Sequence, residues 1–241
     1  METARSLETL HTRLGEVRRR IAACAERSRR APEEITLIAV SKTHPAEMVR
    51  QAIEAGAHDL GENRVQEAVE KIEAVGRPSG VRWHLIGHLQ ANKARRAVKY
   101  FDIIHTVDSI ALAERLARLC REEKRDELPV MIQVDLAGEA TKSGADEEQV
   151  PELIAAISSG GCLRLVGLMT LPPFFEEAER VRPFFRRLRQ LRDTLQARGV
   201  FGAGGGHLSM GMSHDYEIAI EEGATMVRVG TAIFGARAAH P

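Results

Sequence analysis

Lys42 stands where a lysine side chain could bond covalently to a carbonyl compound. It follows the apolar run Thr36–Val40, which predicts a buried strand, and it precedes Pro45, a residue suited to the first turn of a helix. A lysine between a strand and a helix is a common location for a Schiff-base amine. Lysine forms an imine only as the neutral amine, so its usual pKa of roughly 10.4 has to be lowered by burial or by a neighbouring cation.

A candidate anion site lies near the end of the chain. Gly211-Met-Ser213 leads from a predicted strand into a predicted helix, and we expect Ser213 to be the N-cap of that helix. Backbone N–H groups are free at such a terminus, and Gly230 with Thr231 allows a second close approach after the next strand. These residues predict a phosphate site, although a helix cap and a tight turn without a ligand have the same pattern.

Arg228 bears on the nature of the phosphorylated ligand. A lysine and a phosphate site fit a sugar phosphate in a class I aldolase, and they fit pyridoxal 5′-phosphate (PLP), whose aldehyde reacts with lysine. Arg228 lies two residues before Gly230 on the same face of its predicted strand, where a buried arginine needs an acceptor. The pyridine nitrogen of PLP is one such acceptor, and a core carboxylate is the alternative. An aldolase would need an acid–base pair, for which Glu62 and Asp135 are the candidates.

These residues fall at the ends of strands in a regular alternation of strands and helices. Eight strands are predicted, at Thr36–Ser41, His58–Gly61, Val81–Ile86, Asp102–Val107, Val130–Leu136, Leu163–Leu171, His207–Met210 and Met226–Phe234. Strands that alternate with helices imply parallel pairing through right-handed crossovers, and eight such units in about 200 residues predict a closed (β/α)8 barrel. An open doubly wound sheet fits less well, because the turn after the first strand contains no glycine.

Composition and length favour one domain over residues 1–241. Lys plus Arg and Asp plus Glu number 34 each, so no net charge points to nucleic acid or to an anionic membrane surface. The first helix, within residues 1–31, has an apolar stripe that includes Leu10, Leu14 and Val17, and we expect it to pack on the barrel.

The sequence also predicts a cytoplasmic protein. It contains no signal-peptide core and no apolar run as long as a membrane span. Its three cysteines lack metal-ligand spacing and fit a reducing compartment. We therefore expect no metal, no membrane partner and no nucleic-acid partner.

Seven motifs are spread over almost the whole chain. They are Ala39-Val-Ser-Lys-Thr43, Gly61-Glu-Asn63, Trp83-His-Leu-Ile-Gly87 with Leu89-Gln90 and Asn92-Lys93, Lys142-Ser-Gly144, Gly167-Leu-Met169, Leu208-Ser-Met-Gly-Met-Ser213 and Val227-Arg-Val-Gly-Thr-Ala-Ile-Phe-Gly235. In this order they resemble the PLP homeostasis proteins, which are built on the barrel domain of alanine racemase.

The resemblance implies a set of cofactor contacts. Lys42 would carry PLP as an imine, and Arg228 would face the ring nitrogen. The resemblance assigns the phosphate and the lining of the cofactor to six further residues: Ser213, Gly230 and Thr231 for the phosphate, and Asn63, His84 and Met210 for the lining.

The family to which the resemblance points is unusual among PLP proteins. Its members lack the β-rich second domain that supplies a tyrosine base in racemases, and a chain of 241 residues leaves no room for that domain. Tyr100 and Tyr216 both fall in predicted helices. An arginine at the ring nitrogen keeps that nitrogen unprotonated, which weakens PLP as an electron sink.

We therefore expect a non-catalytic PLP carrier in vitamin B6 homeostasis. It would buffer PLP or deliver it to apo-enzymes, as a monomer or a weak dimer. The alternatives are an amino-acid racemase of narrow scope and, outside PLP chemistry, a class I sugar-phosphate aldolase.

Overall fold

The computed structural model describes residues 2–138 and 143–235, with side chains from residue 7 onward. Its strands are β1 (Thr36–Val40), β2 (Asp59–Glu62), β3 (Arg82–Leu85), β4 (Ile103–Val107), β5 (Leu128–Gln133), β6 (Leu163–Met169), β7 (His207–Met212) and β8 (Met226–Val229). All neighbouring strands are parallel, and the pairing of β8 with β1 closes the sheet. The predicted (β/α)8 barrel is confirmed.

Helices connect the strands and surround the barrel. Within the described residues they are α1 (Glu2–Arg27), α2 (Ala46–Glu54), α3 (Val65–Val75), α4 (Ala94–Tyr100), α5 (Ile110–Glu122), α6 (Val150–Ser159), α7 (Arg182–Ala197), α8 (Tyr216–Glu221) and α9 (Thr231–Phe234). Short 3-10 helices lie at Pro32–Glu34, Ala91–Lys93, Glu147–Gln149, Ala178–Val181 and Gly202–Gly204.

The last strand is shorter than predicted. The prediction extended it over Met226–Phe234, but β8 ends at Val229 and residues Thr231–Phe234 form the one-turn helix α9. The backbone turns at Gly230, whose carbonyl oxygen accepts hydrogen bonds from the amides of Ile233 and Phe234, both at 2.9 Å. A short apolar run does not distinguish a buried strand from a buried helical turn, which is why the prediction was wrong here.

Helix α1 covers the barrel beside β8. Its apolar stripe is buried at Leu10, Leu14, Val17 and Ile21, and the helix contacts α2, α8 and α9. Because α9 has only a single turn, α1 supplies apolar cover that a full-length eighth helix would give. The extent of one domain over all of residues 1–241 stays a prediction, since it includes residues outside the described ranges.

The barrel interior combines apolar and polar residues. Ile38, Met131, Val166 and Met226 form an apolar cluster that is separate from the main core between strands and helices. Arg228 lies two residues after Met226 and therefore faces the same interior. Barrel interiors are usually filled with branched apolar side chains, so a buried arginine requires polar partners there.

Candidate functional site

Lys42 lies just beyond β1, at the edge of the barrel where the strands end. Ile38 faces the barrel interior, and the alternation of side chains along β1 puts Lys42 on that same side. The next residue, Thr43, has a φ of +69°. A β-branched residue rarely adopts this left-handed conformation, so the surrounding structure must hold the turn after Lys42.

Lys71 of α3 supplies part of that support. Its Nζ donates a hydrogen bond to the carbonyl oxygen of Ser41 at 2.7 Å, and it contacts the Oε1 atoms of Glu62 at 2.6 Å and Glu67 at 2.7 Å. Only 5% of Lys71 is exposed, and Glu62 is fully buried. We call Lys71, Glu62 and Glu67 the lysine clamp.

The lysine clamp holds both peptide groups that flank Lys42. On one side, Lys71 binds the carbonyl group of Ser41. On the other side, Glu67 accepts a hydrogen bond from the backbone amide of Thr43. The lysine clamp thereby stabilises the left-handed turn and fixes the backbone from which the Lys42 side chain extends.

The lysine clamp lies outside the barrel wall. Gly61 faces the interior beside the side chains of Ile38 and Val40, so the next residue, Glu62, faces α3. Burial raises the pKa of the Glu62 carboxyl, and the attraction of Lys71 opposes that rise without cancelling it. Among the described residues, Glu62 Oε2 has no hydrogen-bond partner.

Arg228 lies inside the barrel with two fixed anchors. Its Nη1 donates to the hydroxyl oxygen of Ser209 at 2.6 Å, and its Nη2 donates to the carbonyl oxygen of Thr170 at 2.9 Å. Burial lowers the pKa of Arg228 to about 10, so the guanidinium stays protonated at neutral pH. Within residues 2–138 and 143–235, no carboxylate lies within ion-pair distance of Arg228, although the charge of the partly buried Asp215 carboxylate raises its pKa and partly offsets burial.

Hydrogen bonds continue from Ser209 across the barrel interior. Ser209 Oγ lies 2.9 Å from His105 Nδ1, and His105 Nε2 lies 2.9 Å from His84 Nδ1. The chain ends where His84 Nε2 meets Asp59 Oδ1 at 2.8 Å. We call Asp59, His84, His105, Ser209 and Arg228 the interior relay. All five are buried, and they come from β2, β3, β4, β7 and β8.

Besides Arg228, the environment shifts the pKa values of two further members of the interior relay. Burial lowers the pKa of His105 well below its usual value, and the nearby His84 and Arg228 lower it further. Burial by itself raises the pKa of Asp59, but hydrogen bonds from His84 and Arg82 outweigh burial and leave that pKa lowered. An ionised carboxylate at Asp59 and a neutral imidazole at His105 follow.

Ser213 connects the loops that follow β7 and β8. Its hydroxyl oxygen accepts a hydrogen bond from the amide of Gly230 at 3.2 Å, which leaves the hydroxyl proton for another acceptor. The prediction that Ser213 is a helix N-cap is wrong. Helix α8 begins at Tyr216 after Asp215, whose carboxylate instead accepts a hydrogen bond from the amide of Met212 at 2.6 Å.

Gly230 brings the end of β8 close to the end of β1. A Cβ atom at Gly230 would lie 3.2 Å from the carbonyl oxygen of Val40, two residues before Lys42. Thr231, exposed at the start of α9, follows directly. The structure thus brings Lys42, Ser213, Gly230 and Thr231 to one edge of the barrel.

The remaining predicted contacts lie in different surroundings. Asn63 follows β2, and its buried Oδ1 has no hydrogen-bond partner among the described residues. His84 lies deeper, with both ring nitrogens engaged in the interior relay, and Met210 is buried in the main core together with Leu208. Contacts of Asn63, His84 and Met210 with a cofactor stay predictions. Lys142, from one of the seven motifs, lies outside the described residues.

Sequence reasoning did not identify the contacts of the supporting residues. Lys71 and Glu67 are four positions apart on α3, a spacing that indicates an ion pair but not its contact with Ser41. His105 and Ser209 are polar residues inside apolar strands. That signal calls for a buried partner but does not identify it.

The described residues also bear on metal, thiol and membrane chemistry. In the described part of the chain, no group of His, Cys, Asp and Glu side chains could hold a metal ion. Cys24, Cys120 and Cys162 are free and buried, and burial raises the pKa of Cys120 to about 12. No helix of residues 2–138 and 143–235 is both long enough and apolar enough to cross a membrane.

Comparison with known proteins identifies the family. The family model for the alanine racemase N-terminal domain matches residues 13–238. A relative named pyridoxal phosphate homeostasis protein from Aquifex aeolicus is 42% identical over 226 residues, which cover 93% of this chain and 97% of the relative. A relative of the same name from Escherichia coli strain K12 is 45% identical over 230 residues, covering 93% and 95%. The chain belongs to the pyridoxal phosphate homeostasis protein family.

Solved structures support both the family assignment and the barrel fold. PipY from Synechococcus elongatus without PLP has a TM-score of 0.81 and 39% identity, covering 94% of this chain and all of PipY. PipY with PLP bound has a TM-score of 0.77 and 38% identity. Alanine racemase from Corynebacterium glutamicum has a TM-score of 0.66 at 20% identity, and the match covers 95% of this chain and 61% of the racemase. The pyridoxal phosphate homeostasis proteins thus share the racemase barrel, as predicted.

Proposed function

We propose that this protein binds PLP covalently through Lys42 and acts as a non-catalytic carrier in PLP homeostasis. The observation that carries the proposal is the arrangement of the adjacent strands β7, β8 and β1. Ser213 and Gly230 are hydrogen-bonded to each other, Gly230 packs against the end of β1, and Lys42 and Arg228 are on the interior side of β1 and β8. The printed names of the relatives and the PLP bound to PipY support the same ligand.

The residues present fit the chemical groups of PLP. Lys42 offers an amine for the aldehyde, and Arg228 offers only hydrogen-bond donors to the ring nitrogen. The Ser213 hydroxyl and the Thr231 groups suit the phosphate. The amide of Gly230 is already bonded to Ser213, so Gly230 would contribute close approach and no donor. The unpartnered Oδ1 of Asn63 is an acceptor that a ligand donor could satisfy.

The chain's own residues favour holding the cofactor over using it. PLP supplies an electron sink when it is bound, and that sink is strong only when the ring nitrogen is protonated. Arg228 is protonated and has no proton-accepting atom, so it stabilises an unprotonated ring nitrogen. The lysine clamp binds the backbone on both sides of Lys42 and leaves little freedom to the turn.

A racemase and an aldolase would each need a second catalytic group besides Lys42, and the described part of the chain supplies none. Tyr216 is 1% exposed and packs against Arg20 of α1, outside the barrel. Tyr100 ends α4 and donates to Glu73 at 2.6 Å, so neither tyrosine is placed as the base of a racemase. For an aldolase, Glu62 is held in the lysine clamp.

Asp135, the other candidate acid–base group for an aldolase, is occupied within its own loop. Its carboxylate accepts a hydrogen bond from the amide of Ala137 at 2.9 Å. The described residues therefore support a carrier over an aldolase.

An absorbance spectrum of the purified protein tests the proposal. Wild-type protein mixed with PLP should show the band of lysine-bound PLP, which borohydride removes, and it should transfer PLP to an added apo-enzyme. Lys42→Ala should lose the band. Lys99→Ala, at an exposed ion pair with Glu123, is the matched control and should keep it.

Two outcomes would contradict the proposal. Wild-type protein without the band would contradict PLP binding through Lys42. Conversion of L- to D-alanine that disappears with Lys42→Ala would favour the racemase. The proposal also includes a cytoplasmic location, delivery of PLP to particular apo-enzymes and a monomeric or weakly dimeric state. Light scattering during gel filtration would measure the oligomeric state.

A further inference from the structure

The hydrogen bonds behind Arg228 point to a defined arrangement of protons. We propose that Asp59, His84, His105 and Ser209 are positioning residues that hold Arg228 through a one-way chain of hydrogen bonds, in which both histidines are neutral and protonated on Nε2. The role toward PLP rests on the proposed function. The proton arrangement is a property of the protein alone and is tested without the ligand.

The direction of the chain follows from the donors and acceptors at its two ends. Arg228 has only donors, so Ser209 Oγ accepts from it, and the Ser209 proton is free for His105 Nδ1. His105 Nδ1 is then an acceptor, which leaves the ring proton on Nε2. From there it is donated to His84 Nδ1.

The same reasoning determines which ring nitrogen of His84 carries the proton. His84 Nδ1 accepts from His105, so the His84 proton lies on Nε2 and is donated to the carboxylate of Asp59 at 2.8 Å. An ionised carboxylate is an acceptor only, which suits the end of the chain. Each polar hydrogen of Ser209, His105 and His84 is then donated to one acceptor.

The opposite direction leaves a proton without an acceptor. If His105 donated from Nδ1, Ser209 would accept from both His105 and Arg228. The Ser209 hydroxyl proton would then need another acceptor, and the described residues place none beside it. His84 would also have to be a charged imidazolium in the barrel interior, because it would donate from both nitrogens. That arrangement would pair the His84 imidazolium with Asp59 and would still leave the Ser209 proton without an acceptor.

The interior relay joins two buried charged groups, Arg228 and Asp59, through neutral groups, while the carboxylate whose charge acts directly on Arg228 is Asp215. Arg228 is 3% exposed and Asp59 is 7% exposed, and the neutral groups between them are fully buried. Aligned hydrogen bonds in a low-dielectric interior polarise one another, so the carboxylate of Asp59 strengthens the bond from Ser209 to His105 and, through it, the anchor of Arg228. With Thr170 as the second anchor, the plane of the guanidinium is fixed and its remaining N–H groups stay available for a ring nitrogen.

Nuclear magnetic resonance of the ligand-free protein tests the proton arrangement. Spectra of the histidine ring nitrogens should show His84 and His105 as neutral rings with the proton on Nε2 at neutral pH, assigned with His84→Gln and His105→Gln. His207 contacts Thr225 and lies outside the interior relay, so its ring nitrogens provide the reference signals in these spectra. A proton on Nδ1 of either histidine, or an imidazolium at His84, would overturn the proposal.

Variants test the positioning of Arg228. Ser209→Ala and His105→Leu should each weaken PLP binding about tenfold or more and shift the absorbance band of lysine-bound PLP, since each leaves buried polar atoms unpaired. His105→Gln should restore most of the affinity, because its amide can accept from Ser209 and donate to His84. The control His207→Gln should bind PLP like wild type.

The two tests separate this proposal from the proposed function. Wild-type protein that binds no PLP but shows both histidines protonated on Nε2 would contradict the proposed function and leave the hydrogen-bond chain established. Wild-type protein that binds PLP, together with Ser209→Ala and His105→Leu of unchanged affinity and unchanged band, would overturn the positioning role. If His105→Leu is unfolded by circular dichroism, Ser209→Ala decides.

Discussion

The lysine clamp and the interior relay are two buried polar networks that solve different problems. In the lysine clamp, three ionisable groups are in direct contact, with Lys71 2.6 Å from Glu62 and 2.7 Å from Glu67. In the interior relay, the charges of Arg228 and Asp59 lie at opposite ends, and neutral groups separate them. The lysine clamp binds backbone groups beside Lys42, whereas the interior relay orients one side chain.

The two networks should respond differently to the loss of one member. Removal of Lys71 from the lysine clamp leaves the buried charge of Glu62 without its cation, and this lowers the stability of the folded chain. The interior relay can lose an outer contact and keep its direction, because the remaining hydrogen bonds are unchanged. Stability measurements on the ligand-free protein can therefore distinguish the two networks.

The largest effect is expected for Lys71→Met. This change removes the positive charge and leaves the buried carboxylate of Glu62 with only the Ser41 hydroxyl as a partner, so the free energy of unfolding should fall by about 3–5 kcal/mol. Lys99→Met is the matched control. Lys99 pairs with Glu123 at 3.0 Å but is 49% exposed, and its replacement should cost less than about 1 kcal/mol. Urea denaturation measures both, and equal losses would contradict a special role for the lysine clamp.

A smaller effect is expected for the pH dependence of stability. Burial lowers the pKa of His105, so below about pH 6.5 the unfolded chain gains a proton that the folded protein does not, and stability falls as the pH decreases. His105→Gln removes this contribution. Between about pH 7 and pH 5.5, its loss of stability should be smaller than that of wild type by about 1 kcal/mol.

Denaturation at several pH values measures this difference. His11→Gln, on the exposed face of α1, is the control and should follow the wild-type curve. A His105→Gln curve parallel to that of wild type would show that His105 is not held neutral, which would also weaken the one-way chain.

The smallest effect is expected for Arg82→Ala. Arg82 contacts Asp59 at 2.8 Å from the outer end of the interior relay, and its side chain is 51% exposed. Solvent screens this pair, and Asp59 keeps its bond to His84, so the loss should stay below about 1 kcal/mol. The proton positions of His84 should not change. A loss as large as that of Lys71→Met would show that the interior relay depends on direct charge pairing, like the lysine clamp.

Much of the fold could be predicted because it follows from local patterns of apolar and polar residues in the sequence. The alternation of apolar runs and helical stripes indicated eight parallel strands, and strand ends indicated the edge on which Lys42, Ser213 and Gly230 meet. Errors arose where local patterns are ambiguous. The apolar run after Gly230 is a helical turn, and Ser213 bonds to the amide of Gly230 instead of capping α8.

The barrel and the family could be inferred from local sequence patterns, together with the lysine and the arginine that the family resemblance assigns to PLP. The residues that support those two side chains became visible in the folded structure. Lys71 reaches Ser41 across 30 residues of chain, and His105 reaches Ser209 across 104. Such contacts depend on the register of the strands and on the closure of the barrel. A local sequence pattern encodes the face of a side chain but not which distant residue that face will meet.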